Sequence, residues 1–147
     1  MRTRGAGDAG HVTVLMIGYV LLVLLVVTVV AAAGSLYLGQ KRLLSLADGA
    51  ALAAADTFVL SGGSGTADPG TLLTGPGVIS AAQNHLAEVG TPAGMGGIAL
   101  APGTGAPDGH TAQVSVSGVV HPVFINFLVP EGITITVTST ARANLAL

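Results

Sequence analysis

Cysteine and tryptophan are absent from this chain, and charge is scarce. Without cysteine there is no disulfide, no thiolate metal site and no cysteine nucleophile. Such a domain holds together by packing alone or borrows stability from its neighbours. Lysine and arginine number five in 147 residues, too few for a phosphate-binding patch, which argues against nucleic acid as a partner. Charged residues make up 8% of the chain, where a soluble globular domain has about 25%. The net charge of -2 implies no strong electrostatic partner. The length allows one modest domain besides any membrane segment.

An uninterrupted apolar run takes the place of the missing charge. Residues 12–38 contain no Asp, Glu, Lys, Arg or His and are mostly Val, Leu, Ile and Ala. As a helix they would extend about 40 Å at 1.5 Å per residue, and a hydrocarbon core of about 30 Å needs about 20 residues. A secretory signal has an apolar region of only about 7–15 residues, so a retained anchor is preferred over a cleaved signal, although Ala31-Ala32-Ala33 imitates a cleavage site. No breaker follows, and helical composition continues to Leu60. The sequence therefore predicts one helix over 12–60, with a membrane-spanning part at 12–38 and a stalk at 39–60. Arg2 and Arg4 before the run nearly balance Lys41 and Arg42 after it under the positive-inside rule. The short leading tail, residues 1–11, is the simpler one to leave in the cytoplasm, which puts the C-terminal part outside.

Beyond the run, Leu36, Leu43, Ala47, Ala50, Ala54 and Phe58 recur at helical spacing, with Lys41, Ser45, Asp48 and Asp56 largely off that stripe. Within the run, Ala31 and Ser35 form a small-xxx-small pair beside Gly34. Small residues let helices approach closely in lipid. Ala31, Gly34, Ser35, Ala47, Ala50 and Ala54 are therefore candidates for packing against other subunits, although Gly and Ala are also simply common in membrane helices. Asp48 has two readings: a partner for Lys41 or Arg42 of a neighbouring subunit, or a solvated carboxylate on the stalk's wet face. The second is preferred, since exposed ion pairs contribute little.

A Gly/Pro/Ser-rich linker is predicted at 61–77, because Ser61-Gly62-Gly63-Ser64-Gly65 cannot stay helical. A short helix follows at 78–89, with Ile79, Ala82, Leu86 and Val89 at spacings of three to four and Gly90 and Pro92 to stop it. The pattern then changes to β. Residues 98–100 form a short candidate strand and 101–109 a loop. Over 111–120, Ala112, Val114, Val116 and Val120 alternate with Gln113, Ser115 and Ser117. The apolar connection 121–130, with Phe124, Ile125, Phe127 and Leu128, suits one or two helical turns. Over 133–143, Ile133, Ile135 and Val137 alternate with Thr134, Thr136, Thr138 and Thr140, whose β-branched side chains suit a solvated pleat. The fold class is α+β: a long N-terminal transmembrane and stalk helix, a second short helix, and an antiparallel sheet of about three strands within a small extracytoplasmic domain at 78–147. A sheet with one apolar face needs a helix to cover it.

Gly10-His11-Val12-Thr13-Val14-Leu15, the apolar run, and Gln40-Lys41-Arg42-Leu43-Leu44-Ser45-Leu46-Ala47-Asp48-Gly49-Ala50-Ala51-Leu52-Ala53-Ala54-Ala55 together resemble the TadE/TadG-like proteins of the Tad (Flp-type) pilus system. The ADGAALAAA segment is the most specific part, and Thr138-Ser139-Thr140-Ala141-Arg142-Ala143 looks like that family's closing strand. The resemblance implies a pilin-like minor pilin, pseudopilin or assembly protein in the cytoplasmic membrane. Its partners would be the membrane and other pilin-like or Tad platform proteins. Many such relatives are cleaved by a prepilin peptidase after a glycine, with glutamate at the fifth position of the mature chain. Here the matching site is Gly10 and His11, and the fifth position is Leu15, so inefficient or absent cleavage is expected.

No catalytic constellation is evident. His11, His85, His110 and His121 match no zinc spacing, and Asp48, Asp56, Asp68, Glu88, Asp108 and Glu131 form no calcium loop. The glycines at 62–65 lack the Lys-Ser/Thr ending of a phosphate loop, and no serine sits in a nucleophile elbow. Asp108-Gly109 is a turn signal. The sequence therefore predicts a non-enzyme with no cofactor, no metal and no small-molecule substrate. The alternative function is a membrane-tethered extracytoplasmic module that binds a ligand or cell-wall component.

Overall fold

A computed structural model describes residues 8–60, 71–122 and 129–143. Residues 61–70 of the expected linker and residues 123–128 of the apolar connection, with Phe124, Ile125, Phe127 and Leu128, lie outside the described residues, as do Arg2 and Arg4. Helix α1 runs Asp8–Ala55, a rod of about 70 Å at 1.5 Å per residue. Strands β1 (Val59–Leu60) and β2 (Thr71–Leu72) form a small antiparallel pair. Helix α2 (Gly75–Val89) follows, and then β3 (Met95–Leu100), β4 (Thr111–Val120) and β5 (Ile133–Arg142), which make a three-stranded antiparallel sheet in the order β3-β4-β5. The architecture is the expected α+β arrangement of a long apolar helix, a short helix and three strands.

α1 begins at Asp8, four residues before the expected start, and three further boundaries differ from the sequence reading for a local reason. α1 stops at Ala55, short of Leu60. The Thr57 hydroxyl donates to the Ala54 carbonyl at 2.7 Å, and the β-branched Val59 turns into β1, where its pairing with Leu72 replaces further helix. α2 starts at Gly75, inside the expected linker. Thr74 caps it, its hydroxyl accepting from the Gly77 amide at 3.3 Å, and Pro76 falls in the first turn, where a missing N–H leaves no bond unmade. Gly90 closes the helix in the left-handed region, φ 76°, as its position promised. β3 begins at Met95, not Ile98, because its register against β4 shifts between Gly96 and Ala99 and Gly97 takes φ 58°. Glycine weakens a regular strand but suits a bulge.

The core lies between α1 and the sheet. Leu43, Leu46, Ala47, Ala50, Ala51, Ala54 and Ala55 meet Val78 and Ala82 of α2, Ala112, Val114 and Val116 of β4, and Val137 of β5. α1 lies over β4 and β5 and beside α2, while α2 touches β3 and β4. So many alanines bring the layers close, and glycine finishes the approach at two points. A Cβ on Gly39 would stand 2.6 Å from Cγ2 of Val120, and one on Gly118 would stand 3.2 Å from Cδ1 of Leu43.

On the other face of the sheet Thr134, Thr136, Thr138 and Thr140 are exposed, as the alternation predicts. Ser115 departs from that expectation, being only 3% exposed. The chain after β3 runs on beside β4 here. The Ala101 amide donates to the Ser115 carbonyl at 2.8 Å, the Thr104 hydroxyl donates to that carbonyl and accepts from the Ser115 amide at 3.1 Å, and the Ser115 and Thr138 hydroxyls lie 2.9 Å apart. The Thr104 side chain thus stands in for a missing main-chain pair.

Candidate interaction site

The α1 helix has two unlike halves. Its N-terminal half is bare. Val14, Leu15, Leu21, Leu24, Leu25 and Val30 are each more than half exposed, and the most apolar window of the helix has a mean hydropathy of 3.0 with none of it buried. This helix is long and apolar enough to cross a membrane. A buried core helix of a soluble protein would be covered, and bare apolar surface on this scale marks an interaction site. Covering begins at Ala32, which is 8% exposed. The bare part, 12–30, is about 28 Å long at 1.5 Å per residue, close to a hydrocarbon core of about 30 Å. The span expected at 12–38 therefore includes a last stretch that the protein's own domain already partly covers.

The candidate packing residues divide in the same way. Ala47, Ala50 and Ala54 are fully buried in the protein's own core, so they are unavailable to another subunit. The spacing revealed a packing face correctly, but that face meets the protein's own sheet and α2. Gly34 is exposed, and Ala31 and Ser35 are partly buried. The Ser35 hydroxyl donates back to the Ala32 carbonyl at 2.8 Å, and nothing comes within 4 Å of a Cβ added to Gly34. Gly10 and His11 are exposed at the start of α1.

The polar side chains of the stalk bind within the chain. Asp48 is exposed, as preferred above, but its carboxylate accepts a hydrogen bond from the Ser139 hydroxyl of β5. Within the chain Arg42 donates to the Ala93 carbonyl at 2.8 Å, and the Lys41 ammonium lies 5.7 Å from the Tyr37 ring centre. A Cβ on Gly49 would stand 2.6 Å from Nε2 of His85, so the imidazole of α2 lies directly over that glycine of α1. Sequence reasoning missed this contact and the one at Gly39. A glycine inside a helix, where it costs about 1 kcal/mol against alanine, was the available signal for both.

A groove of about 460 Å³ opens between α2 and β3, lined by Gln83, Leu86, Ala87, Thr91, Ile98 and Leu100. It gathers no titratable side chain. Among the described residues no three His, Asp or Glu side chains come together as a metal site would require.

Asp108 shapes the turn into β4. Its carboxylate accepts from the His110 amide at 3.0 Å, the Thr111 amide at 2.6 Å and the Thr111 hydroxyl at 2.8 Å. Led by the His110 amide, these bonds lower its pKa from 3.8 to about 2. Because the folded-state value is depressed, the turn's contribution to stability is fully present above pH 3.8 and is lost as pH falls through about 2. A carboxyl-carbon NMR titration of the solubilised protein should place the Asp108 midpoint well below the ordinary aspartate value of 3.8. An ordinary midpoint for Asp108 would show that the turn does not hold in solution.

The most apolar and the most closely packed parts of α1 thus lie on one continuous segment, and that segment is what known proteins share. Residues 10–57 match the Tad family model, described as "Putative Flp pilus-assembly TadE/G-like". No curated protein and no solved structure matches the chain. The Tad-like segment covers nearly all of α1 and ends at the turn before β1. It contains both halves of the helix, the bare span and the alanine face that seats the sheet. The match supports a role in pilus assembly and points to a structural part in it.

Proposed function

We propose that this protein is a single-pass, membrane-anchored minor pilin, pseudopilin or assembly factor of a Tad-type pilus or related secretion system, acting by protein–protein contact. The observation that carries the reading is the bare apolar stretch of α1 inside the Tad-like segment, continuous with the helix that forms the core of the domain. A rigid helix shared between bilayer and domain fixes the height and orientation of the domain above the membrane. Residues 12–30 form the span, the N-terminus is cytoplasmic, and the sheet lies outside. Ala31, Gly34 and Ser35 remain available to pilin-like or platform partners just above the span, where small residues allow close approach.

The test combines topology with phenotype. Reporter fusions after Leu147 and before Met1 should report opposite compartments, and deletion of the gene in its host should abolish or reduce piliation, with recovery on complementation. A cytoplasmic signal from the C-terminal fusion would overturn the orientation. Normal piliation in the deletion strain would overturn the pilus role.

A further inference from the structure

The contacts along α1 give each part of the domain a height above the span. Leu43 lies on Gly118, and Gly39 abuts Val120. β4 therefore descends as α1 rises, and its last residues point back toward the membrane. β5 starts at the same level, because Ile133 pairs with Val120. From Val120 the chain continues through His121 and Pro122, far enough to descend up to about 7 Å further. The turn between α2 and β3 meets it at His121, whose amide donates to the Gly94 carbonyl at 3.4 Å. Apart from α1 itself, the two ends of the β4–β5 connection are thus the described chain nearest the bilayer.

That level leaves no layer of water beneath the domain. Ala32, only 8% exposed, is covered, while Val30 is 65% exposed. The step between them is about 3 Å at 1.5 Å per residue, and the headgroup layer on each side of the hydrocarbon is about 5–7 Å thick. The lowest cover on α1 therefore falls within the headgroups. The chemistry agrees. Residues 121–130 contain no Asp, Glu, Lys or Arg. Tyr37 and Leu38 of α1 are 59% and 57% exposed, and the Lys41 ammonium lies 5.7 Å from the Tyr37 ring centre. Tyrosine favours the membrane–water boundary, and helix side chains lean toward the N-terminus, which here is toward the bilayer. The carboxylates of Asp56 and Asp108 belong to the far end of the domain, just after α1 and just before β4. Glu131, exposed beside Pro130, limits the depth, since a charge inside the hydrocarbon is costly.

We propose that this end of the domain is a second lipid contact. The turn at Val129 and Pro130, together with Tyr37 and Leu38, lies in the headgroup layer of the leaflet from which α1 emerges. The occupant is a phospholipid surface, because the contact continues directly from the span along the same helix. The proposal rests on the membrane reading above. Its consequence is mechanical. A single apolar helix does not set its own tilt, which depends on packing and on interfacial anchors. A contact to one side of α1 leans the rod toward that side and fixes how steeply the sheet stands over the membrane.

The chain has no tryptophan and no cysteine, so single probes report without background. Full-length protein carrying Val29→Trp, Pro130→Trp or Thr140→Trp is reconstituted into vesicles of phosphatidylcholine and phosphatidylglycerol. The lipids are plain or brominated near the headgroup end of their chains. Bromine should cut the emission of Val29→Trp and Pro130→Trp by about half or more, as for groups seated at the headgroup–acyl boundary. Thr140→Trp, toward the far end of β5, should be unaffected. Quenching at 29 without quenching at 130 overturns the proposal and leaves the anchor standing. No quenching at 29 overturns the membrane reading, and this contact with it. If Pro130→Trp melts below the parent, a spin label on Glu131→Cys reads the same turn. Compared with a label on Thr140→Cys, it should meet oxygen more often and a water-soluble nickel complex less often. Equal accessibility at the two positions overturns the contact.

Discussion

Replacing Ala47 and Ala50 together with leucine is expected to destabilise the helix–sheet domain, not merely to weaken its attachment to other proteins. Both alanines are fully buried, and both lie in the layer where α1 meets α2 and the sheet. The space around them is set by close approaches elsewhere along α1, at Gly39 on Val120 and at Gly49 on His85. Each added side chain therefore has to push a whole element aside. Overpacking costs about 1–3 kcal/mol per site, so the pair costs about 2–6 kcal/mol against a typical total of about 5–15 kcal/mol. At about 4–8 °C per kcal/mol for a small domain, the melting temperature should fall by about 10 °C or more. Circular dichroism melting of the full-length protein in detergent measures it. Ala33→Leu, on the exposed side of α1, is the control and should melt like the parent. A double variant that melts normally but loses its partners would return these alanines to an intermolecular interface.

That outcome bears on what the sequence could disclose. A period near 3.6 shows that Ala47, Ala50 and Ala54 share a face, but it does not say what covers that face. A sheet of the same chain and a helix of another chain demand the same small residues. Composition revealed the long helix, and alternation revealed β4 and β5, because both signals repeat over many residues. The three-stranded sheet and its helical cover were legible for that reason. Elements made by single contacts were not. β1 and β2 are two residues each and exist through pairing across a separation in sequence. The first turn of α2 was hidden by Gly75-Pro76-Gly77, whose composition resembles a linker until Thr74 is seen to cap it. The Asp48–Ser139 bond joins residues far apart in the chain, and only the fold puts them together.

The second large effect separates anchor from fold. Leu21 and Leu25 are 62% and 63% exposed and lie near the middle of the bare stretch of α1. Arginine at the centre of a membrane helix costs about 2.5–3.5 kcal/mol on the insertion scale, so Leu21→Arg with Leu25→Arg costs about 5–7 kcal/mol. That change is about what turns a fully inserted helix into a mostly uninserted one, since about 5.5 kcal/mol moves an equilibrium from 99:1 to 1:99. Residues this far down α1 touch nothing in the core cluster, which begins at Leu43, so the domain should keep its fold. Carbonate extraction of host membranes should move the variant from the pellet to the soluble or aggregated fraction. In detergent, its near-parental melting temperature should contrast with that of the Ala47 and Ala50 variant. The two variants thus divide one continuous helix into a part that answers to lipid and a part that answers to the sheet. If the arginine pair left the protein in the membrane pellet after carbonate, the bare stretch would not be the anchor. Its exposed leucines would then belong to a protein interface, and the height that α1 sets for the domain would have to be measured from that partner.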